Sequence, residues 1–85
     1  MTGDQVLVRF WAAARDAAGR VEESYPPGSL AAIVAEAGQR HEGLAKVLER
    51  SSFLVDSEPV GRRDHGTVEV GAGAVLEVLP PFAGG

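Results

Sequence analysis

The chain has 85 residues, 45% of them hydrophobic, with no cysteine and a formal net charge of -4. That length suits a single domain that buries about 60 to 65% of its unfolded surface, enough for one core but hardly for a large enclosed active-site cavity, so a self-sufficient enzyme is disfavoured. The missing cysteine removes disulfides, thiolate zinc sites and thiol nucleophiles, and an acidic chain whose only basic pair is Arg62-Arg63 argues against a nucleic-acid face.

Residues 5–11 alternate, with Val6, Val8 and Phe10 on one side and Leu7, Arg9 and Trp11 on the other, which predicts a strand whose charged side, and Trp11 with it, faces outward. Residues 12–19, rich in alanine, read as a turn or a single helical turn. Residues 21–25 then return as a second strand in a hairpin with the first, stopped by Pro26-Pro27-Gly28. Ser29 is placed as the N-cap of a helix in which Leu30, Ile33, Val34 and Ala37 recur at the spacing of one buried stripe. Gly38 and His41-Glu42-Gly43 end that helix, and Leu44, Val47 and Leu48 repeat the helical spacing in a shorter one. Phe53-Leu54-Val55 is a third strand, Asp56-Ser57-Glu58-Pro59 a turn, and Val60 the start of a brief fourth strand. Residues 62–66 read as polar loop and 67–70 as a short extended piece. Residues 71–74 form a turn, and 75–79 make a central strand with Leu76 and Val78 on one face. The predicted core is Val6, Val8, Phe10, Leu30, Ile33, Val34, Leu76 and Val78. Strands around one amphipathic helix define an α+β domain, in the order of the ubiquitin-like, or β-grasp, arrangement. Periodicity by itself reaches only the α+β class.

No stretch approaches the roughly 18 apolar residues of a membrane span and no basic-then-apolar leader opens the sequence, so a cytoplasmic protein with no membrane partner is expected. Catalytic groups are few. His41, between two helical segments, reads as a surface or capping residue rather than a ligand, and His65, in a polar loop, likewise; Asp56 and Glu58 belong to a turn that is acidic for backbone reasons. Gly71-Ala72-Gly73 is no phosphate loop, because no Lys-Ser/Thr follows it and the next element is a strand.

The end of the sequence differs. Pro80-Pro81 favours an extended conformation that carries residues 80–85 away from a body formed by residues 1–79, over about 19 Å at about 3.1 Å per residue. Gly84-Gly85, lacking Cβ atoms, suit a channel too narrow for other residues. The string Leu79-Pro80-Pro81-Phe82-Ala83-Gly84-Gly85 resembles the terminal Pro-Pro-x-x-Gly-Gly signature of the MoaD/ThiS sulfur-carrier family. Phe10-Trp11-Ala12, Arg15-Asp16 and Gly19 are similar to that family's opening motif, and residues 29–48 to its helix pair. Val55-Asp56-Ser57 stands where the family usually has Val-Asn-Gly, and Gly71-Ala72-Gly73-Ala74 where it has an acidic Gly-Asp turn.

The resemblance implies a ubiquitin-like β-grasp fold with a mixed sheet, one main helix and a second short helix. The double proline points within the family to the small subunit of molybdopterin synthase. It further implies that the Gly85 carboxylate, presented by Gly84, is adenylated by an E1-like partner using ATP and magnesium, since this chain binds no cofactor of its own. A persulfide donor then converts it to a thiocarboxylate that a larger synthase subunit uses. The chain would be the sulfur-donating, non-catalytic subunit, with Trp11, Leu79, Pro80, Pro81, Phe82 and Ala83 meeting partners. Related carriers for thiamine, cysteine or tRNA thiolation, and a ubiquitin-like modifier, are the alternatives.

Overall fold

Alternation makes Val6–Phe10 a strand, β1, whose inner side chains are buried while Leu7 and Arg9 are half-buried on the other face. The computed structural model describes residues 2–81. Helix α1 (Ala12–Ala18) follows at once, ending on Gly19 at φ 73, a left-handed cap that suits glycine and donates its N–H to Arg15 O at 2.8 Å. Strand β2 is Glu22–Tyr25, and a two-residue strand β3, Gly28–Ser29, leads into helix α2 (Leu30–Arg40). Ser29 caps α2, its Oγ accepting from Ala32 N at 3.1 Å, and the buried stripe is Leu30, Ile33 and Ala37. Helix α3 (Leu44–Glu49) packs against α2 where Gly38 gives room: a Cβ there would lie 3.2 Å from Ala45 Cβ. Strands β4 (Ser52–Val55), β5 (Glu58–Pro59), β6 (Glu69–Val70) and β7 (Val75–Leu79) complete the order, with a 3₁₀ turn at His65–Thr67.

The main sheet runs β2-β1-β7-β4-β5, and β3 pairs with β6 apart from it. β1 and β7 are parallel, with Leu7 opposite Val75 and Phe10 opposite Val78, whereas β2, β4 and β5 run antiparallel to their neighbours. The sheet is therefore mixed, and helices cover one face of it: Val6, Val8, Phe10, Leu76 and Val78 share a core with Leu30, Ile33, Ala37, Leu44 and Leu48. This is the ubiquitin-like β-grasp architecture. Each fully buried side chain of that size contributes about 1.5 to 3 kcal/mol by leaving water.

Several elements depart from the sequence reading. Residues 12–18 form a full helix because alanine has the best helix propensity and Ala14 and Ala18 bury on one side. Val21 lies outside β2 and is exposed, although its carbonyl accepts from Phe10 N at 2.8 Å. Val60 starts no strand; β5 ends before it, and Val60 drops into the core while its N–H reaches Phe53 O at 3.0 Å. Of the extended piece at 67–70 only Glu69–Val70 is strand. Val34 is half-buried, packed against the core, and Tyr25, Leu44, Phe53 and Val70 are buried there although they were not among the predicted core residues.

Candidate functional site

The tail singled out by the sequence leaves from the centre of the sheet. β7 lies between β1 and β4, so hydrogen bonds on both edges fix its direction up to Val78 and Leu79, which pair with Phe53 and Ser52. Pro80 has no N–H and cannot extend the ladder. Pro80 is buried and Pro81 is exposed. A groove of about 470 Å³ lies beside the exit of β7, lined by Ala13 of α1, by Lys46, Val47, Glu49 and Arg50 of and after α3, and by Pro80 and Pro81. Phe82, Ala83, Gly84 and Gly85 lie outside the described residues.

Trp11 stands one step past the Phe10–Val78 pair, beside Leu79. Its backbone N–H donates to Val78 O at 3.2 Å, and its indole Nε1 donates to Glu77 Oε1 at 3.1 Å. Ala12, which follows, takes φ 50, a left-handed conformation that turns the chain sharply from strand to helix and leaves Trp11 at the corner. Trp11 is 43% exposed. Leu7, Leu54, Val75 and Leu79 are half-buried on the uncovered sheet face, so an apolar strip runs across it to Trp11. Arg9 and Glu22, paired at 2.8 Å, and Glu77 give this strip its polar members.

Several ionisable side chains away from the tail tie elements of the fold together. His41 Nε2 lies 2.7 Å from Glu23 Oε1, the same oxygen that accepts from Tyr25 Oη at 2.6 Å, and the His41 ring stands edge-on to Phe10. Arg40 stacks 3.9 Å above the Tyr25 ring and donates to Ser24 O at 3.0 Å. Burial raises the Glu23 carboxyl, but hydrogen bonds from Tyr25 and His41, with the charge of Arg40, outweigh it and hold the group below its usual range. Burial, then the Glu23 carboxylate, pushes the Tyr25 hydroxyl above the normal phenol range. His65 packs edge-on against Phe53, and Asp56 Oδ1 accepts from Val75 N at 2.9 Å, tying the β4–β5 turn to β7. Among the described residues no group of three or more His, Asp or Glu is arranged to hold a metal ion, and no helix is long and apolar enough to cross a membrane. The α1–α3 groove was missed from sequence because it depends on α1 being a whole helix.

A family model described as the ThiS family matches residues 8–85. No curated protein matches the sequence. Among solved structures, the small archaeal modifier protein 1 from Methanosarcina acetivorans is similar over 95% of this chain and 96% of its own, with TM-score 0.82 and 17% identity. A candidate molybdopterin converting factor subunit 1 from Pyrococcus furiosus is similar over 92% of this chain and 98% of its own, with TM-score 0.77 and 22% identity. The complex of subunits 1 and 2 of the molybdopterin-converting factor from Helicobacter pylori holds a chain similar over 95% of this one and 99% of its own, with TM-score 0.69 and 23% identity. At these identities the likeness speaks for the fold.

Proposed function

The chain belongs to the ThiS family, a ubiquitin-fold sulfur carrier or modifier, and from that premise we propose that it works as a sulfur carrier whose reacting group is the carboxylate of Gly85. The observation that carries this reading is the extent of the family match, which runs through Gly84-Gly85 to residue 85. The absence of cysteine agrees with it, since sulfur handled by this chain then rides on a non-cysteine atom.

A carboxylate is a poor electrophile. An E1-like partner using ATP and magnesium joins Gly85 to AMP with release of pyrophosphate; the terminal sulfur of a persulfide donor displaces AMP to give an acyl disulfide, and a second thiol of that donor opens the S–S bond, leaving the thiocarboxylate on Gly85 and a disulfide on the donor. The contribution of this chain is position: a central strand held on both edges delivers residues 80–85 from a rigid base, and effective presentation of a reacting group is worth several orders of magnitude in rate. The strip from Leu54 and Leu79 to Trp11 is the docking face for those partners, because grouped exposed apolar side chains mark interfaces and Trp is a preferred anchor. Within the family the double proline favours the small subunit of molybdopterin synthase, donating sulfur to a pterin precursor held by a larger subunit. The neighbour that occurs in complex with a second converting-factor subunit supports that partner. A second reading, a protein modifier forming an isopeptide with lysine, is favoured by the neighbour named as an archaeal modifier.

Intact mass of the protein purified from its own cell tests the proposal. The exchange of one oxygen for sulfur at the C-terminal peptide is the result expected. A tail carrying only the free carboxylate under conditions of active sulfur transfer, or found only on target lysines, contradicts it.

A further inference from the structure

Three carboxylate residues of the chain are half-buried: Glu23, Glu36 and Glu77. Glu23 meets His41, Arg20 and Arg40, and Glu36 lies 2.6 Å from Arg40. Glu77 enters no ion pair among the described residues, and every other carboxylate without one is exposed. Its place is the middle of β7, with Leu54 opposite on β4 and with Val75 and Leu79 to either side on the same face. Arg9 stands opposite on β1 but is held by Glu22 at 2.8 Å. One oxygen of Glu77 accepts from Trp11 Nε1 at 3.1 Å, and among the described residues the other accepts no hydrogen bond. Water serves that second oxygen while the face is open. A partner that closes over the strip removes this water, and a charge buried without a counter-charge costs far more than an apolar group in the same place.

Taking the strip from Leu54 and Leu79 to Trp11 as the docking face, the reading on which this inference rests, we propose that the adenylating partner presents a basic side chain to Glu77. Glu77 then selects that partner by charge within an otherwise apolar contact, since a surface lacking the cation leaves a buried carboxylate unpaired. The second oxygen of Glu77 takes the incoming donor. Arginine fits this place better than lysine: its planar fork donates to the carboxylate while stacking on the indole of Trp11, which is 43% exposed. A second copy of the chain is a poor occupant, because its own face brings another Glu77 and its Arg9 is already engaged by Glu22.

Calorimetry of the full chain with the adenylating enzyme of the same cell tests the pairing. Glu77→Gln keeps an oxygen for Trp11 Nε1 and nearly the same volume but removes the charge. It should bind about thirtyfold or more weaker, the low end for a buried charge pair that loses one member. Glu77→Lys, which sets like charges face to face, should lose more. Glu77→Gln made in a Trp11→Phe background, where no indole donor remains, should still lose affinity. The proposal is overturned if Glu77→Gln binds as tightly as the parent, or if Glu77→Lys binds no weaker than Glu77→Gln. A loss that vanishes in the Trp11→Phe background also overturns it, because Glu77 then acts only by holding the indole. Trp11→Ala separates this outcome from the docking reading. If Trp11→Ala weakens binding while Glu77→Gln does not, the face docks the enzyme without a cation at Glu77; if neither weakens it, the docking face falls and the proposal with it.

Discussion

Glu23 joins β2 to the end of α2, and its removal has a cost that the geometry sets. One carboxylate oxygen serves Tyr25 Oη at 2.6 Å and His41 Nε2 at 2.7 Å, and the other lies 3.4 Å from Arg20 and 3.6 Å from Arg40. The Glu23 and His41 side chains are only 12% and 14% exposed, so water replaces these partners poorly. In Glu23→Ala the Tyr25 hydroxyl and the His41 ring each lose a partner, at about 1 to 3 kcal/mol apiece, while the longer arginine pairs add little. The expected loss is about 2 to 6 kcal/mol, seen in a thermal melt as a fall of at least roughly 10 °C for a domain of this size. Adding Tyr25→Phe to that variant should recover part of the loss, because the orphaned hydroxyl goes with it. The pH dependence follows from the sign of the shift. A carboxyl held below its ordinary value of 4.5 stabilises the fold above that value, and the contribution fades as pH falls through the lower folded value. The deficit of Glu23→Ala is therefore full at neutral pH and shrinks on acidification below about 4. A deficit within about 0.5 kcal/mol of zero, or one unchanged across the acid range, refutes this account of the network.

Ile33→Ala, in the buried stripe of α2, is expected to cost about 2 to 5 kcal/mol by denaturant titration, and a midpoint equal to the parent's counts against the packing. Asp56 and Ser57 form the two-residue β4–β5 turn at φ 49 and φ 72, angles that cost a side chain about 1 to 2 kcal/mol but glycine little, offset by about 0.4 to 1 kcal/mol of glycine's unfolded-state freedom. Ser57→Gly should thus raise the melting temperature by a few degrees, and a lower one means the turn is held by something other than local angles. Trp11→Ala gives up an exposed ring and the bond to Glu77, so stability changes little while affinity for the large-subunit partner proposed above is expected to drop by more than about 1 kcal/mol; calorimetry showing unchanged affinity removes Trp11 from the proposed interface.

Most of the sheet was legible because β1 and β7 each bury one face, and a face buried on one side writes itself as alternation. α2 was legible through its stripe and through Ser29, a cap whose mechanism is local. α1 was not, since Ala14 and Ala18 bury among other alanines and leave no polar contrast to mark the inner side. β3 and β6 pair over two residues each, too short for any period to show. The Glu23, Tyr25 and His41 cluster draws on residues that only the tertiary fold brings together, so no spacing announces it. The tail was visible for a different reason: Pro80-Pro81 and Gly84-Gly85 are read as chemistry, not as periodicity. What the sequence could not show is that Pro80 is buried, because burial at the end of β7 is decided by the tertiary fold.

The central claim, that Gly85 is the reacting residue, is tested most directly by ATP-dependent activation of the chain lacking Gly85 against the full chain, using the adenylating enzyme of the same cell and mass spectrometry of the C-terminal peptide. Deletion moves the carboxylate back by about 3.3 to 3.6 Å, and misplacement by even about 1 Å can cost about a hundredfold in rate. The account predicts a folded protein with the parent's melting temperature and no detectable adenylate or thiocarboxylate. Activation of the shortened chain at the parent's rate contradicts it.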